Sequence, residues 1–166
     1  KVLLGTTNPS KVNRFSNLLK DCGIEFITIK DIKIMVEPEE NGKTPEENAV
    51  LKAKFYGQYF DTVICNDSGL YFEELSLNDV RQPGLNVRTP MNMQRLSDEQ
   101  MIDYYSKLIK GLGGKVAAFY LDGIAVYNHG KIFSFMDMEN ARKTGFDMID
   151  KKKKKYFAGW PLDSLS

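Results

Sequence analysis

Lys1-Val2-Leu3-Leu4-Gly5-Thr6-Thr7-Asn8-Pro9-Ser10-Lys11 opens the chain. Residues 2–4 form a short apolar run that predicts a buried strand, stopped at Gly5. Asn8-Pro9 is a helix start, because Asn is a favoured N-cap and Pro fits the first helical position. A strand that turns through small residues into a helix N-terminus presents backbone N–H groups suited to an anion. Lys11 falls in the first helical turn, where the helix dipole disfavours a cation by about 0.3–1 kcal/mol. An anion bound there reverses the sign, since a Lys–phosphate pair at about 4 Å gains roughly 4 kcal/mol at an effective dielectric of about 20, before desolvation. The turn reads as a polyphosphate seat. A capped surface helix with a solvated lysine accounts for the same residues.

The first helix is predicted over 9–21, with Val12, Phe15, Leu18, Leu19 and Cys22 on its apolar face and Gly23 as its stop. Residues 25–29 alternate as a strand, and 32–36 read as a second extended piece. Residues 37–42 then place three carboxylates in four positions. A solvated acidic loop tolerates this, and a hard divalent cation would make it favourable. Thr44-Pro45-Glu46-Glu47 carries a Thr N-cap, Pro at N1 and Glu at N3, predicting a capping box and a helix to about residue 58. Ala49, Ala53 and Tyr56 share one face, spaced for close packing on a sheet.

Residues 62–65 predict a core strand that ends in Asn66-Asp67-Ser68-Gly69-Leu70. Polar residues at the carboxyl end of a strand in an α/β sheet are where ligands bind. An Asx-turn, with Asp67 capping its own backbone, is the alternative reading of these letters. Residues 71–95 are irregular, with turn signals at Pro83-Gly84 and Pro90, and suggest a flexible segment or lid. Ser97-Asp98-Glu99-Gln100 starts a helix that Gly111 ends. Residues 115–127 and 131–135 form a predicted hairpin around Asn128-His129-Gly130, with His129, the only histidine, a turn residue. Five lysines at 151–155 read as a solvated loop, and Trp160 in the tail 156–164 as core, with a base-stacking surface as the alternative.

A chain of 166 residues with 42% hydrophobic and 27% charged residues is expected to form a single domain, residues 1–166. A formal net charge of +1 supplies no field for nucleic acid or a membrane surface. No stretch is long and apolar enough for a membrane span, and no signal-peptide pattern is present. Cys22 and Cys65 lack metal-ligand spacing and read as free buried thiols of a cytoplasmic protein. The absence of an initiator Met points to missing or processed N-terminal residues. Walker, dinucleotide-binding, zinc and nucleophile-elbow patterns are absent.

Three separated pieces share one pattern: Thr6-x-Asn8-x-x-Lys11, then Glu39-Glu40-Asn41-Gly42-x-Thr44-x-x-Glu47-Asn48-Ala49-x-x-Lys52-Ala53, then Asp67-Ser68-Gly69-Leu70. Their order and intervals resemble the inosine triphosphate pyrophosphatase family, which removes pyrophosphate from deaminated purine triphosphates such as ITP, dITP and XTP. The resemblance covers residues 1 to about 75. It implies an α/β fold with a long mixed central β-sheet flanked by helices, in two lobes with an active-site cleft between them. It further implies a homodimer and Mg²⁺ as cofactor. By position it makes residues 6–11 the triphosphate-binding turn, so that Thr6, Thr7, Asn8 and Lys11 contact phosphate. Glu39 becomes the metal-site glutamate, Asp67 both metal ligand and proton acceptor, and Ser68 and Gly69 substrate contacts. Glu40 is the nearest outer carboxylate.

Departures from the family pattern lie at Asn66, where many members carry an acid, and in the C-terminal half. Gly145-Phe146-Asp147 only faintly matches the family's Gly-Phe-Gly stretch, and its Ser-His-Arg segment is missing. Either the branch is divergent or the chain is truncated. The expected activity is hydrolysis of a nucleoside triphosphate to monophosphate and pyrophosphate. Two alternatives stand beside it: a nucleotide-sensing module without turnover, and a pyrophosphatase with a different base preference. Nucleic-acid binding through the lysine run is disfavoured by the balanced charge elsewhere.

Overall fold

The structure, a computed structural model, describes residues 1–153, 155–156 and 160–166. The lysine run and the tail therefore fall in part, at 154 and 157–159, outside the described residues. In chain order the elements are β1 (Val2–Leu4), α1 (Pro9–Leu18), β2 (Phe26–Thr28), α2 (Pro45–Tyr56), β3 (Thr62–Phe72), α3 (Asp98–Gly111), β4 (Lys115–Asn128), β5 (Lys131–Met136), α4 (Met138–Lys143) and β6 (Phe146–Ile149), with short 3₁₀ turns at Lys20–Cys22, Pro90–Asn92 and Pro161–Leu165. Among the described residues these strands make a mixed six-stranded sheet in the order β2-β1-β3-β4-β5, with β6 also paired to β4. The α/β class with helices flanking a mixed sheet is the one expected. The chain divides into two compact units, Lys1–Ser68 with Asp122–Asp137, and Gly69–Leu121 with Met138–Ser166.

In the first unit, β1 pairs in parallel with β2 and with β3, Leu3 standing opposite Val63 and Leu4 opposite Ile64. Its core joins Leu3, Ile29, Ala49, Ala53, Tyr56, Val63, Cys65 and Ala125. The predicted face of α2 is the buried one, and α2 packs on β5. The β4–β5 hairpin has Asn128 opposite Lys131, and His129 and Gly130 take φ of 45° and 86° in the two-residue turn. Both values lie in the left-handed region that this tight turn requires.

Three expectations in this unit are corrected. The first helix ends at Leu18 and passes into the 3₁₀ turn Lys20–Cys22, so the 3.6-residue period is lost and Leu18 and Cys22 are exposed. Residues 32–36 form no strand, because the Asp31 carboxylate accepts from Thr28 N and Oγ1 at 2.8 and 2.7 Å and folds the chain into a turn. Thr44 caps α2 through Glu47 N at 3.1 Å, but the Glu47 carboxylate accepts from Lys43 N at 2.6 Å instead of completing the box.

In the second unit, β4 pairs antiparallel with β6, Val116 opposite Met148. Its core joins Leu70, Phe72, Met101, Tyr105, Ile109, Val116, Met148, Leu162 and Leu165. The α3 capping box between Ser97 and Gln100 is complete. Residues 73–95 are tied down: the Gln82 side chain bonds Phe72 N, Phe72 O and Leu75 O, Tyr105 donates to Val87 O, and Arg88 pairs with Asp98. Trp160, read as core, is exposed instead; Leu162 and Leu165 of the Pro161–Leu165 turn anchor the tail on α3. Among the described residues no helix is long and apolar enough to cross a membrane.

Candidate functional site

The site is built where β1 gives way to α1. Gly5 N donates to Ile64 O at 2.8 Å, and a Cβ at Gly5 would stand 2.2 Å from Cys65 Sγ, so with Cys65 in place a side chain at position 5 would have to displace the thiol. Thr6 Oγ1 accepts from Asn8 N at 3.1 Å, and Asn8 Oδ1 accepts from Ser10 N at 2.9 Å as the N-cap of α1. Thr6 and Thr7 line a hollow of about 170 Å³ together with Gly5, Glu37, Pro38, Glu40, Lys52 and Tyr56.

The strand-end reading of residues 66–70 is corrected, since β3 runs on through them to Phe72. Asp67 is therefore a mid-strand residue rather than an Asx-turn cap. Its Oδ2 accepts from Asn48 Nδ2 at 3.0 Å and its Oδ1 from Lys52 Nζ at 3.1 Å, with Lys11 Nζ 4.0 Å away. Lys52 Nζ also donates to Glu40 Oε2 at 3.1 Å. Lys11 Nζ donates to the Asn66 carbonyl at 3.3 Å. Burial and the neighbouring Lys52 ammonium hold the Lys11 pKa below its ordinary value, with Asp67, Asp122 and Glu40 acting in the opposite sense.

Asn48, almost fully buried, uses its other amide atom to accept from Gly42 N at 2.8 Å. A Cβ at Gly42 would stand 2.7 Å from that same oxygen, so the glycine lets the acidic loop lie against α2.

Lys11, Asp67 and, through Lys52, Glu40 are thus brought together, beside the hollow that Thr6 and Thr7 line. Glu39 is exposed, and among the described residues the carboxylates lining that hollow are those of Glu37 and Glu40. Among the described residues no group of three or more His, Cys, Asp or Glu side chains is arranged to hold a metal. Gly69 belongs to the second unit, where Leu70 N donates to Gly84 O at 3.0 Å and a Cβ at Gly69 would stand 3.0 Å from that same oxygen.

Ser68 is engaged elsewhere. Its hydroxyl donates to Asp122 Oδ1 at 2.5 Å, Asn66 Nδ2 lies 3.2 Å from the same oxygen, and Arg14 pairs with Asp122 Oδ2 at 2.9 Å. Burial opposes the charge on Asp122, but the bonds from Ser68, Arg14 and Asn66 together outweigh it and hold the carboxyl below its usual range. Residues that the sequence reading assigned no role are thus prominent in this unit. Asn48 and Lys52 stand at i and i+4 among the alanines of α2, a polar pair on an apolar face. Asp122 interrupts a strand of β-formers, which is the corresponding signal on β4.

A sequence profile described as the Ham1 family matches residues 2–145. A dITP/XTP pyrophosphatase of Thermoanaerobacter pseudethanolicus is 37% identical over 86 residues, 51% of this chain and 41% of that protein. One from Leptospira interrogans is 43% identical over 72 residues, 42% of this chain and 36% of that protein. The matched stretches thus span less than half the length of these relatives. The Staphylococcus aureus Ham1 protein has a similar structure, with a TM-score of 0.70 at 25% identity over 99% of this chain and 79% of that one. With the profile running from β1 to the end of α4, the expected kinship extends well past residue 75, and the chain belongs to the Ham1 family.

Proposed function

We propose that this chain is a single nucleotide pyrophosphatase-like domain that hydrolyses ITP-, dITP- or XTP-like triphosphates to the monophosphate and pyrophosphate in a Mg²⁺-dependent reaction. The observation that carries the reading is the convergence of Lys11, Lys52, Asp67 and Glu40 beside the start of α1. Two cations suit a polyanion and two carboxylates suit a metal-bound phosphate, a combination with no use in a plain surface helix. Membership of the Ham1 family and the names of the dITP/XTP pyrophosphatase relatives support it.

In this reading the 6–11 turn seats the triphosphate, with Thr6, Thr7, Asn8 and Lys11 as phosphate contacts and Ser68 and Gly69 as further substrate contacts. Water adds across a phosphoanhydride: its oxygen forms a new bond to phosphorus, the P–O–P bond breaks, and its proton passes to the Asp67 carboxylate. Lys11 and Lys52 neutralise charge on the departing pyrophosphate, a role that needs only position. Asn48 fixes the Asp67 carboxylate in orientation.

The donor set fits Mg²⁺, because the Asp67 and Glu40 carboxylates already converge on one positive charge, the Lys52 ammonium at 3.1 Å from each. Magnesium is commonly held by one or two carboxylates, the rest of its shell being water and substrate phosphate. Asp67 would hold it, with Glu39 and Glu40, adjacent in one loop, supplying the second carboxylate. When bound, the ion supplies Lewis-acid polarisation of phosphate oxygens. A homodimer acting on the cytoplasmic nucleotide pool, with no nucleic-acid or membrane partner, completes the proposal on the strength of the resemblance and the balanced charge.

Pyrophosphate release is measured over ITP, dITP, XTP, ATP, GTP and dUTP, with and without Mg²⁺. Metal-dependent turnover highest on a deaminated purine is expected. Tight binding with no product across the panel would replace the enzyme by a sensing module.

A further inference from the structure

The Arg14–Asp122 pair lies outside the chemistry proposed above, yet it is the point at which both helices of the site are referenced to the sheet. Lys11 and Arg14 are three residues apart on α1 and so share a face. Lys11 grips the Asn66 carbonyl on β3 at 3.3 Å, and Arg14 grips Asp122 on β4 at 2.9 Å. The Asn66 amide lies between these two anchors. Its Nδ2 is 3.0 Å from the Asp67 carbonyl, 3.2 Å from Asp122 Oδ1 and 3.2 Å from Gly123 O. Ser68 adds its hydroxyl to the same Asp122 oxygen.

The residue after Asp122 fixes the other helix. A Cβ at Gly123 would fall 2.1 Å from Glu46 N and 2.2 Å from the Pro45 carbonyl carbon, so β4 touches the backbone of the first turn of α2. That helix carries Asn48 and Lys52. Asp122-Gly123 therefore holds α1 by a carboxylate and α2 by the lack of a side chain, with β3 pinned between them by Asn66 and Ser68.

We infer that Asp122 is a positioning residue: through Arg14 it sets the seat of α1, and with it the place of the Lys11 ammonium beside Asp67. The inference rests on the site having the function proposed above. Neither Asp122 nor Arg14 touches substrate in this scheme; they act by holding Lys11. A cation displaced by about 1 Å from a polyphosphate costs on the order of tenfold to a hundredfold in rate.

The test uses Asp122→Asn, Arg14→Gln, their double variant and Arg14→Lys in the full chain. The readouts are kcat and KM on the best triphosphate, the affinity for inorganic tripolyphosphate without metal by calorimetry, and the melting temperature. Each single variant is expected to lose about tenfold or more in kcat and to weaken tripolyphosphate in parallel, at a melting temperature within a few degrees of the parent. The double variant should be no worse than the worse single, since both cut one link. Arg14→Lys, which restores the charge, should recover most of the loss. Arg14 is half-exposed, so its variants keep the test open even if Asp122→Asn does not fold.

Parental kcat and parental tripolyphosphate affinity in Arg14→Gln would overturn the inference and leave the proposed function standing, as would losses that simply add. A parent chain that binds tripolyphosphate but hydrolyses nothing would remove the proposed turnover, while the affinity series still decides the positioning role.

Discussion

Lys52 Nζ lies 3.1 Å from Asp67 Oδ1, and both side chains are largely shut away from solvent, at 9% and 15% exposure. Removing one partner of a buried pair leaves the other charged without compensation, typically at 3–5 kcal/mol. Asp67 retains Asn48 and, at 4.0 Å, Lys11, so the lower end applies. Lys52→Met is expected to lose about 3 kcal/mol of unfolding free energy in urea. Lys107→Met, at an exposed i,i+4 pair with Asp103, should be close to neutral. Equal losses at the two positions would contradict the burial of Lys52 against Asp67.

The Asp67→Asn variant separates chemistry from architecture. Its side-chain carbonyl can still accept from Asn48, but the new amide N–H₂ faces the Lys52 ammonium in place of a carboxylate oxygen. The fold should persist, and pyrophosphate release should fall by about 10²–10⁴, the usual worth of a positioned proton acceptor. Near-parental turnover would remove Asp67 from the reaction.

The elements legible in the sequence are those specified by neighbours in sequence. The Thr44 cap, the Ser97–Gln100 box and the turn at Asn128-His129-Gly130 are all closed within a few residues. Asn8 likewise caps α1 as its letters indicate. What could not be read depends on distant partners. Asn66 and Asp67 look like a strand end because polar side chains rarely continue a core strand. They continue it here because Asp122 and Gly123 satisfy one, and Asn48 and Lys52 the other. Cys22 departs from the buried expectation for a local reason, the switch from α to 3₁₀ winding after Leu18, which turns the residue to solvent.

The two thiols should behave differently. Cys22 is exposed, whereas Cys65 is 1% exposed and burial pushes its thiol from 9.0 up to about 12. A thiol reagent should modify one cysteine in the native protein and the second only on unfolding. The pH dependence follows by linkage. Between about pH 9 and pH 12 the unfolded chain releases the Cys65 proton while the native state keeps it, so stability is lost as pH rises through that window. The Tyr56 hydroxyl, raised by burial from 10.0 to about 12, acts in the same direction. Each group contributes a slope of at most about 1.4 kcal/mol per pH unit. Urea midpoints taken at increasing alkaline pH should fall less steeply in Cys65→Ala, and identical slopes would show that the thiol ionises as easily folded as unfolded.

The approach of β1 to β3 just before the turn at residues 6–8 is open to a test by compensation. A methyl at position 5 would stand 2.2 Å from Cys65 Sγ and 2.9 Å from a ring carbon of Tyr56, both side chains buried in one core. Gly5→Ala must displace them, at a cost of about 1–3 kcal/mol. Cys65→Ala deletes the nearer atom and leaves a small void. Combined, the new methyl fills the space the sulfur vacates, so the double variant should be more stable than Gly5→Ala alone, with a coupling of about 1–3 kcal/mol. The Tyr56 contact persists, which keeps the double variant below the parent. Because Thr6 and Thr7 follow directly, tripolyphosphate affinity should recover along with stability. Strictly additive losses would mean that a methyl at position 5 does not compete with Cys65 Sγ for space, and the packing behind the turn would then not rest on that contact.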